Sequence, residues 1–137
     1  MKKAFALTQA EFQSSTGRTP QYLAWYRTFK REFTKFLESR GMTGIDIGEP
    51  NHFDMHGFFK DGKVDQIWYF SISDLRWSKD AMLIRTAAHY KDFTGGHNQY
   101  VPLNGTLEDF IDGFDSLIKA HNFDKYQSDI ASQLSEM

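Results

Sequence analysis

Two alternating runs meet at Lys60-Asp61-Gly62-Lys63, and an Asp-Gly pair in that setting predicts a hairpin with a two-residue turn. This feature constrains the fold most, because a one-residue change of register would move every apolar side chain to the opposite face of the ribbon. With Asp61 and Gly62 as the turn, Lys60 faces Lys63, Phe59 faces Val64, Met55 faces Trp68 and Phe53 faces Phe70. The other face pairs His52 with Ser71, Asp54 with Tyr69, His56 with Ile67 and Phe58 with Asp65. The pairs Phe59–Val64, Met55–Trp68 and Phe53–Phe70 share one face and are all apolar, while the other face is largely polar, as a half-buried antiparallel ribbon requires.

Upstream, Thr19-Pro20 supplies an N-cap and a first-turn proline, opening a helix that runs to about Ser39, before Gly41. Tyr22, Tyr26, Phe29, Phe33 and Phe36 recur at spacings of four and three and form its core stripe, with Leu37 at the edge. Arg27, Lys30, Arg31 and Lys35 lie on roughly the opposite side, as a solvated cationic face or a phosphate-binding stripe. Thr8 and Glu11 suggest a short capped helix ending near Gly17, and Ile45 with Ile47 suggests a short strand.

Downstream, a strand from Met82 to about His89 puts Met82, Ile84, Thr86 and Ala88 on one side and Leu83, Arg85, Ala87 and His89 on the other. The stretch from Tyr90 to Gly105 lacks clear periodicity, a length at which a loop is usually functional or mobile, although Tyr100 and Val101 read as strand. Thr106 and Asp109 then cap a helix carrying Leu107, Phe110, Ile111, Phe114, Leu117 and Ile118, and a last helix begins near Asp124 with Tyr126, Ile130 and Leu134. These elements define an α+β fold of two layers in a single domain, residues 1–137. An antiparallel meander of three strands, or four or five, is packed on one face by a long N-terminal helix and one or two C-terminal helices.

The helix, three strands, helix order resembles the double-stranded-RNA-binding domain, whose sheet is backed by two helices and whose last helix opens with phosphate-gripping basic residues. Here that helix opens Thr106-Leu107-Glu108-Asp109, which is acidic, so the likeness is one of topology and no residue role carries over.

The 137 residues include no cysteine, which excludes a disulfide scaffold, a cysteine nucleophile, an iron-sulfur cluster and a thiolate zinc site. Apolar runs are short and MKKAFALTQAEF turns polar before a signal-peptide core could form, so the expectation is a cytoplasmic protein without membrane contact. Net charge is -2, yet residues 1–40 carry a local +5 while residues 41–80 and 81–137 carry -3 and -4. The sequence therefore predicts a dipolar molecule.

No nucleophile elbow, Walker loop, dinucleotide fingerprint, HExxH or EF-hand loop occurs, and a triad of Ser71, His52 and Asp54 lacks an oxyanion element. His52, Asp54 and His56 alternate along one strand face, a spacing that suits a divalent metal such as zinc or manganese and a hydrolytic site. Otherwise no cofactor is expected. Gly95 and Gly96 allow a backbone to approach a ligand, with Arg85, His89, Lys91, His97, Asn98 and Gln99 around them. The primary expectation is a small non-enzymatic interaction or accessory protein that binds a macromolecule, foremost another protein, through the polar sheet face and this Gly-Gly loop. Its economy of size suits an inhibitor encoded by a mobile element such as a phage. The alternatives are nucleic-acid binding through Arg27, Lys30, Arg31 and Lys35, an acidic half that mimics a phosphate backbone, and the metal-dependent hydrolase.

Overall fold

The computed structural model describes residues 20–48, 55–72, 81–92, 96–103 and 105–135. The elements are α1 (Pro20–Ser39), β1 (Met42–Ile47), β2 (Met55–Asp61), β3 (Gln66–Ile72), β4 (Ala81–Ala87), β5 (Gln99–Pro102) and α2 (Leu107–Ser135). The five strands form an open antiparallel meander in chain order. The fold is α+β, and the sheet has the largest of the strand numbers the sequence allowed. The short helix read at Thr8 to Gly17 and the cap at Thr19 lie outside the described residues.

The amphipathic pattern of α1 turns Tyr26, Phe29, Phe33 and Leu37 into the core. Leu37 is fully buried rather than marginal, and Phe36 is the half-buried edge. The reason is α2, which packs on that edge: Phe36 meets Phe110 and Phe114 at ring-centroid distances of 5.6 and 5.0 Å. The helix closes at Gly41, whose N–H bonds the Glu38 carbonyl.

Thr106 and Asp109 form the predicted capping box: Thr106 N–H donates to Asp109 Oδ2 at 3.0 Å, and Asp109 N–H donates to Thr106 Oγ1 at 3.2 Å. Instead of two C-terminal helices, α2 is one helix of 29 residues. Neither Gly nor Pro separates Ile118 from Asp124, and His121, Asn122 and Lys125 all make contacts from within the continuous helix. From β5 the helix crosses to the β2–β3 hairpin, where Lys125 Nζ reaches the Val64 carbonyl.

The hairpin register differs from the two-residue turn. Met55 faces Ile72, Gly57 faces Phe70, Phe59 faces Trp68 and Asp61 faces Gln66, so the loop between the paired residues holds four residues, Gly62 to Asp65. The Asp61 carboxylate accepts the Lys63 N–H at 3.0 Å, Asp65 takes a left-handed φ of 56°, and its carboxylate pairs with Lys60 Nζ at 2.8 Å. The local side-chain turn at Asp61 outcompetes a two-residue reversal. Relative to the expected register the pairing slips by four residues, an even number, so the faces are preserved. Met55, Phe59, Trp68, Phe70 and Ile72 point inward to both helices, while His56, Phe58, Lys60, Ile67, Tyr69 and Ser71 belong to the outer face.

Both free edges resist pairing with another strand: β1 carries an irregularity between Thr43 and Asp46, and β5 is short and ends in Pro102. At the centre of β2, a Cβ on Gly57 would lie 2.2 Å from the Asp46 carbonyl oxygen and 2.9 Å from the Phe70 ring. Gly57→Ala should therefore lower stability by about 3 kcal/mol in urea titration. Gly62→Ala, with open space at the turn, should stay within about 0.5 kcal/mol of the wild type.

Candidate functional site

Both helices cover the inner face, and among the described residues no helix packs on the outer face of the sheet. Strand pairing sets its central row: Asp46 lies opposite Phe58, Phe58 opposite Tyr69, and Tyr69 opposite Arg85. The Arg85 guanidinium lies over the Tyr69 ring, 4.4 Å from its centroid, and its terminal nitrogen reaches Asn98 Oδ1 at 3.4 Å. A second row runs from His56 through Ser71 and Leu83 to Tyr100, which is 62% exposed.

One end of this surface is capped by the turn that follows β4. Ala88 N–H donates to Asp92 Oδ2 at 2.9 Å and Asp92 N–H returns to the His89 carbonyl, which folds the turn back on itself. Tyr90 then lies over Phe58 at 5.7 Å, and its hydroxyl donates to the Gly44 carbonyl of β1 at 2.5 Å. Burial raises the Tyr90 phenol above its ordinary pKa, so it remains a donor at neutral pH. Phe58, 3% exposed between Tyr90 and Tyr69 at 5.3 Å, is an outer-face residue with core-like burial.

The outer face is therefore aromatic and cationic rather than simply polar. Lys60 is paired with Asp65, and their hydrogen bond and Coulomb attraction raise the Lys60 pKa and lower that of Asp65, so both stay ionised and the pair as a whole carries no net charge. Arg85 is the central cation, positioned by π contact and the Asn98 amide. Sequence reasoning selected Arg85 and Asn98 and missed Phe58, Tyr69, Tyr90 and Tyr100. The alternation that put Phe58 and Tyr69 beside Asp65 and Asp54 already held that signal.

The other expected binding residues distribute unevenly. His89 and Lys91 belong to the folded-back turn; His89 Nδ1 lies 2.8 Å from the Tyr90 carbonyl, and Lys91 has a left-handed φ of 70°. His97 and Gln99 are exposed, and Gly95 lies outside the described residues. Gly96, at φ 72°, has a structural requirement: a Cβ there would lie 2.6 Å from the Thr86 carbonyl oxygen and hydroxyl. Of the proposed metal set, His52 and Asp54 lie outside the described residues. His56 is half-buried beside Tyr69, and no three ligating side chains gather among the described residues. Ser71 faces His56, not His52.

Arg27, Lys30, Arg31 and Lys35 are exposed and make no ion pair with a described residue. They occupy the side of α1 turned from the sheet, so the cationic stripe and the aromatic face do not merge into one surface. No helix among the described residues is long and apolar enough to cross a membrane. Set against protein-family models, curated proteins and solved structures, the chain matches none, so residue roles rest on its own geometry.

Under the helices, a groove of about 950 Å³ runs between the end of α1, the hairpin and α2, with Met42, Phe114, Ile118 and Phe123 among its lining residues. Arg40 grips Asp115 through Nε at 3.0 Å and a terminal nitrogen at 3.1 Å beside it. Buried Asp61 accepts from Asn122 Nδ2 at 3.2 Å. Gln66 donates through its amide nitrogen to the Ile67 and Ala87 carbonyls, so Gln66 Oε1 accepts, and His121 Nε2–H donates to it at 3.1 Å. His121 also stands edge-on to Trp68 at 4.9 Å.

Burial, reinforced by Lys125 and opposed by Asp124 and Asp61, lowers the His121 pKa. Above about pH 6.5 the imidazole is neutral in both states; below it the unfolded chain takes up a proton that the folded chain resists. His121 thus favours unfolding as pH falls from about 6.5 toward its lowered folded pKa. Urea midpoints from pH 7.5 to 5.5 should fall less steeply for His121→Gln, which keeps a donor for Gln66. Parallel profiles for the two chains would remove His121 as the responsible group.

Proposed function

We propose that this protein is a small non-enzymatic binding module that engages a partner protein through the outer sheet face. The observation that carries this reading is the Tyr69–Arg85 stack, held in register against buried Phe58 and flanked by exposed Tyr100 in the neighbouring row. Tyr and Arg on a rigid scaffold dominate protein interfaces because they bury large areas while losing little conformational freedom. Asp46, Asn98, His97 and the Lys60–Asp65 pair supply a polar rim of both signs, which favours a protein over a polyanion. An inhibitor or accessory role fits a module of 137 residues.

Capture experiments with the folded chain test this reading. The wild type should retain a partner that Arg85→Glu/Tyr100→Ser loses, by about 30-fold or more in affinity, with circular dichroism unchanged. Equal capture by that variant would remove the sheet face as the binding site.

A second reading, nucleic-acid binding by α1, is favoured by one observation: four exposed cations on one helical face lack ion-pair partners among the described residues. Its signature is affinity for DNA or RNA that falls steeply with salt and is lost in Lys30→Glu/Arg31→Glu. Absence of any shift at low ionic strength would dispose of it.

A further inference from the structure

Among the described residues, Lys125 makes the last hydrogen bond that ties α2 to the body, and Tyr126 stands at the rim of the groove one residue further on. The helix nevertheless continues to Ser135, a projection of about 15 Å at 1.5 Å per residue. A helical segment this short is marginal in water without packing. Among the described residues, three of the four exposed large hydrophobic side chains lie here: Phe123, Tyr126 and Leu134 are 60%, 62% and 64% exposed. With half-buried Ile130 they fall within about 80° of arc, roughly opposite the side that Phe114, Ile118 and His121 turn to the sheet. The helix therefore has a second apolar stripe, of which Phe123, Tyr126 and Leu134 are exposed.

We infer that this stripe pairs antiparallel with the same stripe of a second copy of the chain. The order of residues is self-complementary about a two-fold axis near position 128, which places Phe123 against Leu134 of the other copy and Tyr126 against Ile130. Each contact joins a ring to an aliphatic side chain. Charge supports the antiparallel sense. The last turn of α2 contains no basic residue, so the negative end of its helix dipole has no compensating cation there. Antiparallel pairing brings that end toward Lys119 and Lys63 of the other copy, which line the groove beside Phe123. Two aromatic and two aliphatic side chains per copy, together with the groove wall, amount to on the order of 1,000 Å² of total buried surface, the lower range for a specific interface. A weak, concentration-dependent dimer follows. The sheet's outer face takes no part in it, so this inference is independent of the proposed partner site.

Sedimentation equilibrium of the full chain from about 1 to 300 µM tests the pairing. The wild type should pass from monomer to dimer, with a melting temperature that rises with concentration. Phe123→Ser/Tyr126→Ser/Leu134→Ser should remain monomeric with a concentration-independent melting temperature, and Lys119→Glu should weaken the dimer about threefold or more. A monomeric wild type at the highest concentration would overturn the inference and leave the stripe to a different protein. A dimer that persists in the triple variant would also overturn it, by placing the interface elsewhere; a dimer indifferent to Lys119→Glu would reject the antiparallel arrangement.

Discussion

The edge-on meeting of Phe33 and Phe70, 5.0 Å between ring centroids, is where helix and sheet layers lock together. Around it Phe29, Phe36, Phe59, Phe110 and Phe114 form one continuous aromatic seam that joins α1 to α2 and both helices to the inner sheet face. Such rings contribute area and directional contacts, and a seam of them fixes the relative placement of three elements at once. The seam commits both helices to the same side. The Arg85–Tyr69 stack lies on the opposite side of the sheet, away from both helices.

That division also organises charge. The basic stripe of α1 and the acidic first turn of α2, Glu108 and Asp109, both lie in the helical layer, while the outer sheet face carries Arg85 against the Tyr69 ring and Lys60 paired with Asp65. A partner that approaches the sheet meets aromatic surface with a mixed polar rim, whose specificity comes from shape and individual hydrogen bonds more than from a long-range field.

Much of the architecture was legible in the sequence, because periodicity reports directly on burial. The α1 stripe, the inward set Met55, Phe59, Trp68 and Phe70, and the capping box at Thr106 follow from spacing alone. What spacing could not disclose were competitions settled by tertiary contact. The Asp61 carboxylate is bound by the Lys63 amide and the Asn122 side chain from a helix far along the chain, and this favours a longer turn than Asp-Gly suggests. The continuity of α2 likewise depends on contacts of His121 and Lys125 with the hairpin. For the candidate site, Arg85 and Asn98 were identifiable as residues, but their convergence with Tyr69 depends on registers set by two successive strand pairings.

The four-residue loop at the hairpin tip carries a rule for how this protein can change over time. A residue added among Gly62 to Asp65 lengthens an unpaired loop and leaves the paired positions untouched. One added inside β3 ahead of Trp68 exchanges Trp68 with Tyr69 and turns Phe70 out of the aromatic seam unless the strand absorbs it as a bulge. Length variation among descendants of this chain should therefore gather at the tip and spare the strands on either side of it.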